Sequence, residues 1–454
     1  MKTKNILLIL IAYGFCSCAV FHPQPLSPEQ NQADFEKRSL ADPGLKKFME
    51  QALGKEMQAW PVLEWDYNLL SLAAFYYNSE LDLARSQYQT SQAGVLTAKG
   101  LPNPDLELSN LEALLKFPLE TAGKRKYRID QAEHLSEFAR LDIATAAWKA
   151  RLELRAALLE LYLGLEQAKL LNERISAMEQ MVKYLDQRAE LGELSAIEAG
   201  RFQIELDQMR LLQTDNQKQV DQSRLHLAAA LGVPVSELRD AKINFGIFAE
   251  TPREFDLADL RRQALLNRSD ILSGLEQYQA GQSDLQLEIA KQYPNINLGP
   301  GYSWEGTVWM VGLSMELPLL NQNQGPIAQA RARREQAGDQ FNALQSKALR
   351  EIDQAYAEYR AGKESLKLSD TIVQNYRRRF DSSRAAFSVG EIDGLELAQG
   401  RLELLAAQDA RLESLRKWQN AITGLELAVQ QDLSPGELAL QAPELNPRKG
   451  KAGE

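Results

Sequence analysis

Cysteine is nearly missing from this chain of 454 residues, which has only Cys16 and Cys18, both close to the N-terminus. If the chain is cut before Cys18, no pair is left for a disulfide framework and no thiolate set for a structural metal. Histidine is as scarce: His22, His134 and His226 stand at no metal-ligand spacing, so each is expected to be a surface or packing residue and no metal is expected. A phosphate-cradling glycine loop, a nucleophile elbow and a paired-histidine helix motif are all missing, so neither catalysis nor a cofactor is expected. The formal net charge of -10 argues against broad affinity for nucleic acid. Charged residues make up 25% of the chain and the mean hydropathy is -0.37, which argues against a bundle of membrane helices.

The first residues differ in kind. Lys2 and Lys4 precede the apolar run Ile6 to Ala12, and Gly14 and Ser17 lead to Cys18. Residues 1–17 therefore read as a secretory signal, too short to span a bilayer. Phe15-Cys16-Ser17-Cys18 resembles a bacterial lipobox, with Phe15 where leucine is usual, and implies acylation of Cys18 as the mature N-terminus. The alternative is an ordinary signal with incidental cysteines. Residues 18–64, with Pro23, Pro25, Pro28 and Pro43, read as a lipid-anchored tether of little regular structure leading into the start of an equatorial region.

Proline is absent, and glycine nearly so, from Lys126 to Glu190, and so long a stretch can be one helix of about 97 Å. Its lower half carries Leu154, Leu158, Leu161, Leu165, Ala168, Leu171, Ile175, Met178, Val182, Leu185 and Ala189 at steps of three or four. That spacing averages about 3.5 residues, the period of a left-handed coiled coil. A turn at Leu191-Gly192-Glu193-Leu194-Ser195 sends the chain back along a return helix from Ala196 to Leu231. Before the long helix, Asp105-Leu106-Glu107-Leu108-Ser109 alternates as a strand does, and Leu114 to Leu119 is its expected hairpin partner.

The design then repeats. Ser79-Glu80-Leu81 returns as Ser269-Asp270-Ile271, Pro102-Asn103 as Pro294-Asn295, Pro118-Leu119 as Pro318-Leu319, and Leu191-Gly192-Glu193 as Val389-Gly390-Glu391. Two copies of helix, hairpin, long helix, tip and return helix define a tandem repeat. The first spans 65–234, with hairpin 104–119 and tip 191–195, and a connector occupies 235–266. The second spans 267–431, with hairpin 295–317 and tip 389–393, and 432–454 read as a disordered tail. Trp304 and Trp309 flank the second hairpin turn, either as membrane-interface aromatics or as closure of an ordinary hairpin.

Over about residues 65 to 431 the chain resembles the TolC family of outer-membrane efflux proteins, particularly the lipoprotein branch that serves heavy-metal resistance pumps. The carriers are Pro102-Asn103-Pro104, Leu119-Glu120-Thr121-Ala122-Gly123-Lys124-Arg125 and the tip at Gly192. In the second copy they are Tyr293-Pro294-Asn295, Leu317-Pro318-Leu319-Leu320-Asn321 with Asn323-Gln324-Gly325, and the tip at Gly390. The resemblance implies a mainly α fold with short β-hairpins. It also implies a homotrimer with a periplasmic α-barrel and a shared twelve-stranded β-barrel, reduced here if the short first hairpin limits it. A periplasmic adaptor (membrane fusion protein) would meet the tips at Leu191, Gly192, Leu194, Ser195, Val389, Gly390 and Ile392. An inner-membrane transporter of the RND class would supply the energy, and outer-membrane lipid would surround the barrel.

Glu391, Asp393 and Glu396 are the candidate gate, because three-fold repetition of acidic residues at an entrance resembles the charged rings of cation pores. The bland alternative is an acidic first helical turn favoured by the macrodipole. Members of the family often carry gate acids slightly further along, where this chain has Ala398 and Gln399. The expected function is a passive outer-membrane efflux duct. Its competitor is a lipoprotein scaffold that keeps the helical tube and conducts nothing.

Overall fold

The computed structural model describes residues 21–249 and 251–433; the signal segment, Cys18 and most of the tail lie outside the described residues. The chain divides into two compact units, residues 1–39 and 40–454. In the first, helix α1 (Pro28–Glu36) begins at Ser27, whose side chain accepts from the Gln30 N–H. In the second, α2 (Pro43–Leu53) begins at Asp42, which accepts from the Gly44 N–H. The tether expected here is thus partly helical. Its prolines occupy the first helical position, where a missing N–H and a fixed φ suit the helix.

The first repeat opens with two helices, α3 (Tyr67–Tyr77) and α4 (Ser79–Lys99), because Asn78 leaves the helix to cap Leu81. Then come strands β1 (Asp105–Leu108) and β2 (Glu112–Leu119), α5 (Lys124–Glu190) and α6 (Ala196–Leu231). A connector with two 3-10 turns leads to α7 (Leu257–Asn267) and α8 (Ser269–Ala290). Strands β3 (Ile296–Ser303) and β4 (Val308–Met315) follow, and α9 (Gln324–Ser388) and α10 (Gly394–Val429) complete the order. No described helix is long and apolar enough to cross a membrane.

Helices α5 and α9, of 67 and 65 residues, each run about 100 Å without a break. Both leave the sheet through a left-handed residue, Gly123 at φ 78° and Asn323 at φ 62°. Toward the sheet they pack in the row α4–α5–α8–α9, and toward the tips in the row α6–α5–α10–α9. The predicted stripe from Leu154 to Ala189 is buried or half-buried throughout. One core cluster gathers α3, the middle of α5, the connector and the ends of α6 and α10; a second, with Ile175, Met178, Val182, Leu206 and Ala398, lies under the tips.

The four strands form one antiparallel sheet in the order β1-β2-β3-β4. The two repeats meet at its centre, where Leu119 pairs with Ile296 and Glu112 with Ser303. The hairpins therefore share one sheet although their sequences lie far apart.

Candidate functional site

The two tips are built from the same backbone. At the first, the Glu193 N–H donates to the Arg188 carbonyl at 2.9 Å across Gly192, which has φ 77°. At the second, the Glu391 N–H donates to the Ala386 carbonyl at 2.9 Å across Gly390, at φ 81°. This is the glycine-terminated helix end in which a left-handed residue satisfies the last carbonyls. Each return helix then starts with a side-chain cap. Ser195 and Glu198 form a capping box, and Asp393 accepts from the Glu396 N–H at 3.0 Å.

Leu191, Gly192, Ser195, Val389 and Gly390 are exposed, while Leu194 and Ile392 are half-buried. Leu194 packs against the core under the tips. Of the candidate gate acids, Glu391 and Glu396 are exposed, and Asp393 is ion-paired with Arg188 of the other tip. Ala398 is buried in the core beneath. The sequence reading missed Arg188 and also Tyr184, whose ring lies where a Cβ on Gly394 would be. Both stand on the flank of the apolar stripe, and only the packing of α10 on α5 brings them to the second tip.

Where the sheet joins the long helices, the two repeats are pinned by different chemistry. Lys124 is buried and donates to the Tyr293 carbonyl and to Asn295 Oδ1. Burial holds its ammonium pKa below the ordinary lysine value. Arg128 grips Glu120 with both guanidinium nitrogens, at 2.9 Å for Nη2, and this hydrogen bond draws the Glu120 carboxyl below the usual range. In the second repeat, Asn323 donates to Glu288 through its amide. Burial pushes Glu288 up, but hydrogen bonds from Lys291 and Asn323 outweigh it, and its pKa is lowered.

A buried ionic cluster joins the repeats at mid-length. Arg155 is 1% exposed and ion-paired to Glu426, 2% exposed, and Arg151 is bound to Asp432 at 2.7 Å. Arg151 and Arg155 both lie over the Tyr67 ring. Such a pair costs several kcal/mol of desolvation and is tolerable only when each charge keeps its partner. Two arginines four residues apart beside Leu154 and Leu158 were its sequence signal. His22 and His226 are exposed, His134 bonds Glu276 at 2.7 Å, and no group of three or more His, Cys, Asp or Glu placed to hold a metal occurs among the described residues.

The sheet separates its residues by face. Paired residues in neighbouring strands share a face, so the registers place Leu106 and Leu108 of β1 with Ala113, Leu115, Phe117 and Leu119 of β2. The same face continues through Ile296, Leu298, Pro300 and Tyr302 of β3 to Trp309, Val311, Leu313 and Met315 of β4. Every position on it is apolar or aromatic. The opposite face carries Asp105, Glu107, Glu112, Lys116, Asn297, Gly299, Gly301, Ser303, Gly312 and Ser314, together with Pro118, Val308, Met310 and Leu114, the last laid over Gly301 and Gly312. Phe117, Leu298, Trp309, Val311 and Leu313 are exposed. Tyr302 packs edge-on to Trp304 and Trp309, with ring centroids 5.1 and 5.2 Å apart.

The family model described as "Outer membrane efflux protein" matches residues 260–429. The cobalt-zinc-cadmium resistance protein CzcC of Cupriavidus metallidurans is 21% identical over 79% of this chain and 88% of its own length. The probable outer membrane lipoprotein SilC of Salmonella typhimurium is 20% identical over 91% of this chain and 95% of its own length. Among solved structures, the outer membrane protein VceC of Vibrio cholerae superposes with a TM-score of 0.65 at 16% identity, covering 80% of this chain and 95% of that one. The tandem helical hairpins, glycine tips and shared four-stranded sheet are thus the fold of these solved outer-membrane proteins, and the second repeat matches the outer membrane efflux protein family.

Proposed function

We propose that this protein is the outer-membrane duct of a tripartite efflux system, a passive trimer that a periplasmic adaptor docks at its tips and an inner-membrane transporter of the RND class drives. The observation that carries this reading is the sheet with one wholly apolar face and one face on which polar residues and glycines predominate. Such alternation is what a transmembrane barrel needs, with lipid outside and water inside. The edges β1 and β4 must be paired before the sheet enters lipid, because an unpaired backbone group there costs several kcal/mol. Three copies supply twelve strands and close it.

The tip residues Leu191, Gly192, Leu194, Ser195, Val389, Gly390 and Ile392 are the proposed docking surface, and Glu391, Asp393 and Glu396 the proposed gate. The ion pair from Arg188 to Asp393 supports the gate, since a contact between the two tips must break if they separate. The likeness to CzcC makes divalent metal cations the proposed cargo. Selection of cargo is assigned to the inner-membrane transporter, and catalysis has no part in the role. Conductance of the purified trimer in planar bilayers tests the duct. Steps that enlarge in Asp393→Ala are expected; a trimer that never conducts, even with Glu391→Ala and Asp393→Ala combined, overturns it.

A further inference from the structure

The strands are short for the membrane that they are proposed to cross. Eight residues of β4 extend about 26 Å, or roughly 19 Å along the bilayer normal at a tilt near 45°, against an apolar band about 25 Å tall in such barrels. The apolar face does not end with the strand. Trp309, Val311, Leu313 and Met315 are followed at the same parity by Leu317, after which the Leu319 N–H donates to the Leu317 carbonyl at 2.8 Å and turns the chain at Pro318. Leu317, Leu319 and Leu320 are 63%, 78% and 101% exposed, and polar Asn321, Gln322 and Asn323 follow before α9 begins. Three neighbouring leucines held out to water need a cover.

In the first repeat the counterparts of the first two, Phe117 and Leu119, are also apolar and exposed, but the third position shows that the junction itself does not demand a leucine there. At the equivalent positions Leu119 is paired to Ile296 within the sheet, and Glu120, where the second repeat has Leu320, is held by Arg128. An inward-held acid has been replaced by an outward apolar side chain beside the lipid-facing parity. At the other end of the sheet, Trp304, Trp309 and Tyr302 cluster at the hairpin turn. Aromatics of this kind sit at the headgroup level of barrels.

We infer that the turn Leu317–Leu320 is a lipid-inserted foot, one in each copy, which buries its leucines in the acyl layer of the periplasmic leaflet and lengthens the apolar belt of a short barrel. The inference rests on the barrel reading above. Continuity with the apolar face selects lipid as occupant over a second copy of the chain, because that face is the one the barrel turns outward.

Nitroxide labels on single cysteines test it in the full-length trimer reconstituted in phosphatidylethanolamine–phosphatidylglycerol vesicles, at Leu319→Cys, Leu320→Cys, Val311→Cys on the apolar face and Gln336→Cys on α9. Oxygen concentrates among acyl chains, whereas a nickel chelate stays in water. Labels at 319 and 320 are expected to collide several-fold more with oxygen relative to nickel than the label at 336, approaching the label at 311. Nickel access at 320 equal to that at 336, with 311 still in lipid, overturns the foot and leaves the barrel standing. Exclusion of both reagents at 320 overturns it too, since protein then covers the leucines. Nickel access at 311 overturns the barrel reading and the foot with it.

Discussion

The two tips share a backbone and differ in chemistry. Gly192 and Gly390 end their helices with matching hydrogen bonds, yet the first tip brings a cation, Arg188, where the second has Ala386, and the second brings the anion that it meets, Asp393. Their support differs as well. Beneath the first tip, Met178, Val182 and Leu185 of α5 are buried against α6 and α10, whereas Val373, Tyr376 and Phe380 on the matching stretch of α9 are only half-buried. Duplication preserved the turn, and divergence made the two copies complementary. An element that repeats in sequence need not repeat in role.

The contact between the tips depends on α10 lying along α5, so the strongest way to break the comparison is to unseat α10. Glu426→Ala takes the paired carboxylate away from the buried Arg155 and is expected to cost about 3–5 kcal/mol. Replacing both partners, as Arg155→Met with Glu426→Leu, should restore most of the loss in urea unfolding followed by circular dichroism. A double variant no better than the single would show that the charges themselves hold the repeats together.

Next in size are the glycines. A Cβ at either Gly192 or Gly390 meets nothing within 4 Å, so Gly→Ala should cost only the left-handed backbone penalty of about 1–2 kcal/mol. Hydrogen exchange of the Glu193 and Glu391 amides should accelerate by similar factors, roughly 5- to 30-fold. Unequal factors would mean that the tips are alike in geometry but not in stability.

Smaller still are the caps. Ser195→Ala should lose about 1 kcal/mol of helix capping. Asp393→Ala should lose a similar cap plus the exposed pair with Arg188, worth about 0–1 kcal/mol. A double-mutant cycle of Arg188→Ala and Asp393→Ala, read by the same exchange, isolates the bridge. An interaction of zero would remove the ion pair from the account of the gate.

The smallest effect is expected at the junctions under acid. Glu120 is held below its unfolded pKa by Arg128, so its contribution is fully present above about pH 4.3 and is lost as pH falls through the lower folded value. Exchange at the start of α5 should quicken on acidification, and Glu120→Gln should flatten that dependence. A start of α5 that ignores acid in the wild-type chain would contradict the pairing.

What the sequence disclosed was whatever depends on short spacing. The stripe from Leu154 to Ala189, the end of α6 at Leu231 and the turns at Gly192 and Gly390 all lie in local patterns. So did the second hairpin, although the meaning of its faces waited for the registers. The union of β2 with β3 was not legible, because it joins residues nearly two hundred positions apart. Nor was the pairing of Arg155 with Glu426, since a charge inside an apolar stripe does not name its partner. The N-terminal helices were hidden because Pro28 and Pro43 break a helix almost everywhere except at its first position.

Helices α5 and α9 carry one further implication. Each runs from the sheet to a tip without a joint, so each behaves as a lever whose short movements near the membrane are magnified at the far end. A pivot of about 5° on a rod of about 100 Å sweeps its end through roughly 9 Å. An aperture worked by such levers needs no rearrangement of the core at mid-length, only a small change of angle and the release of whatever latches the ends.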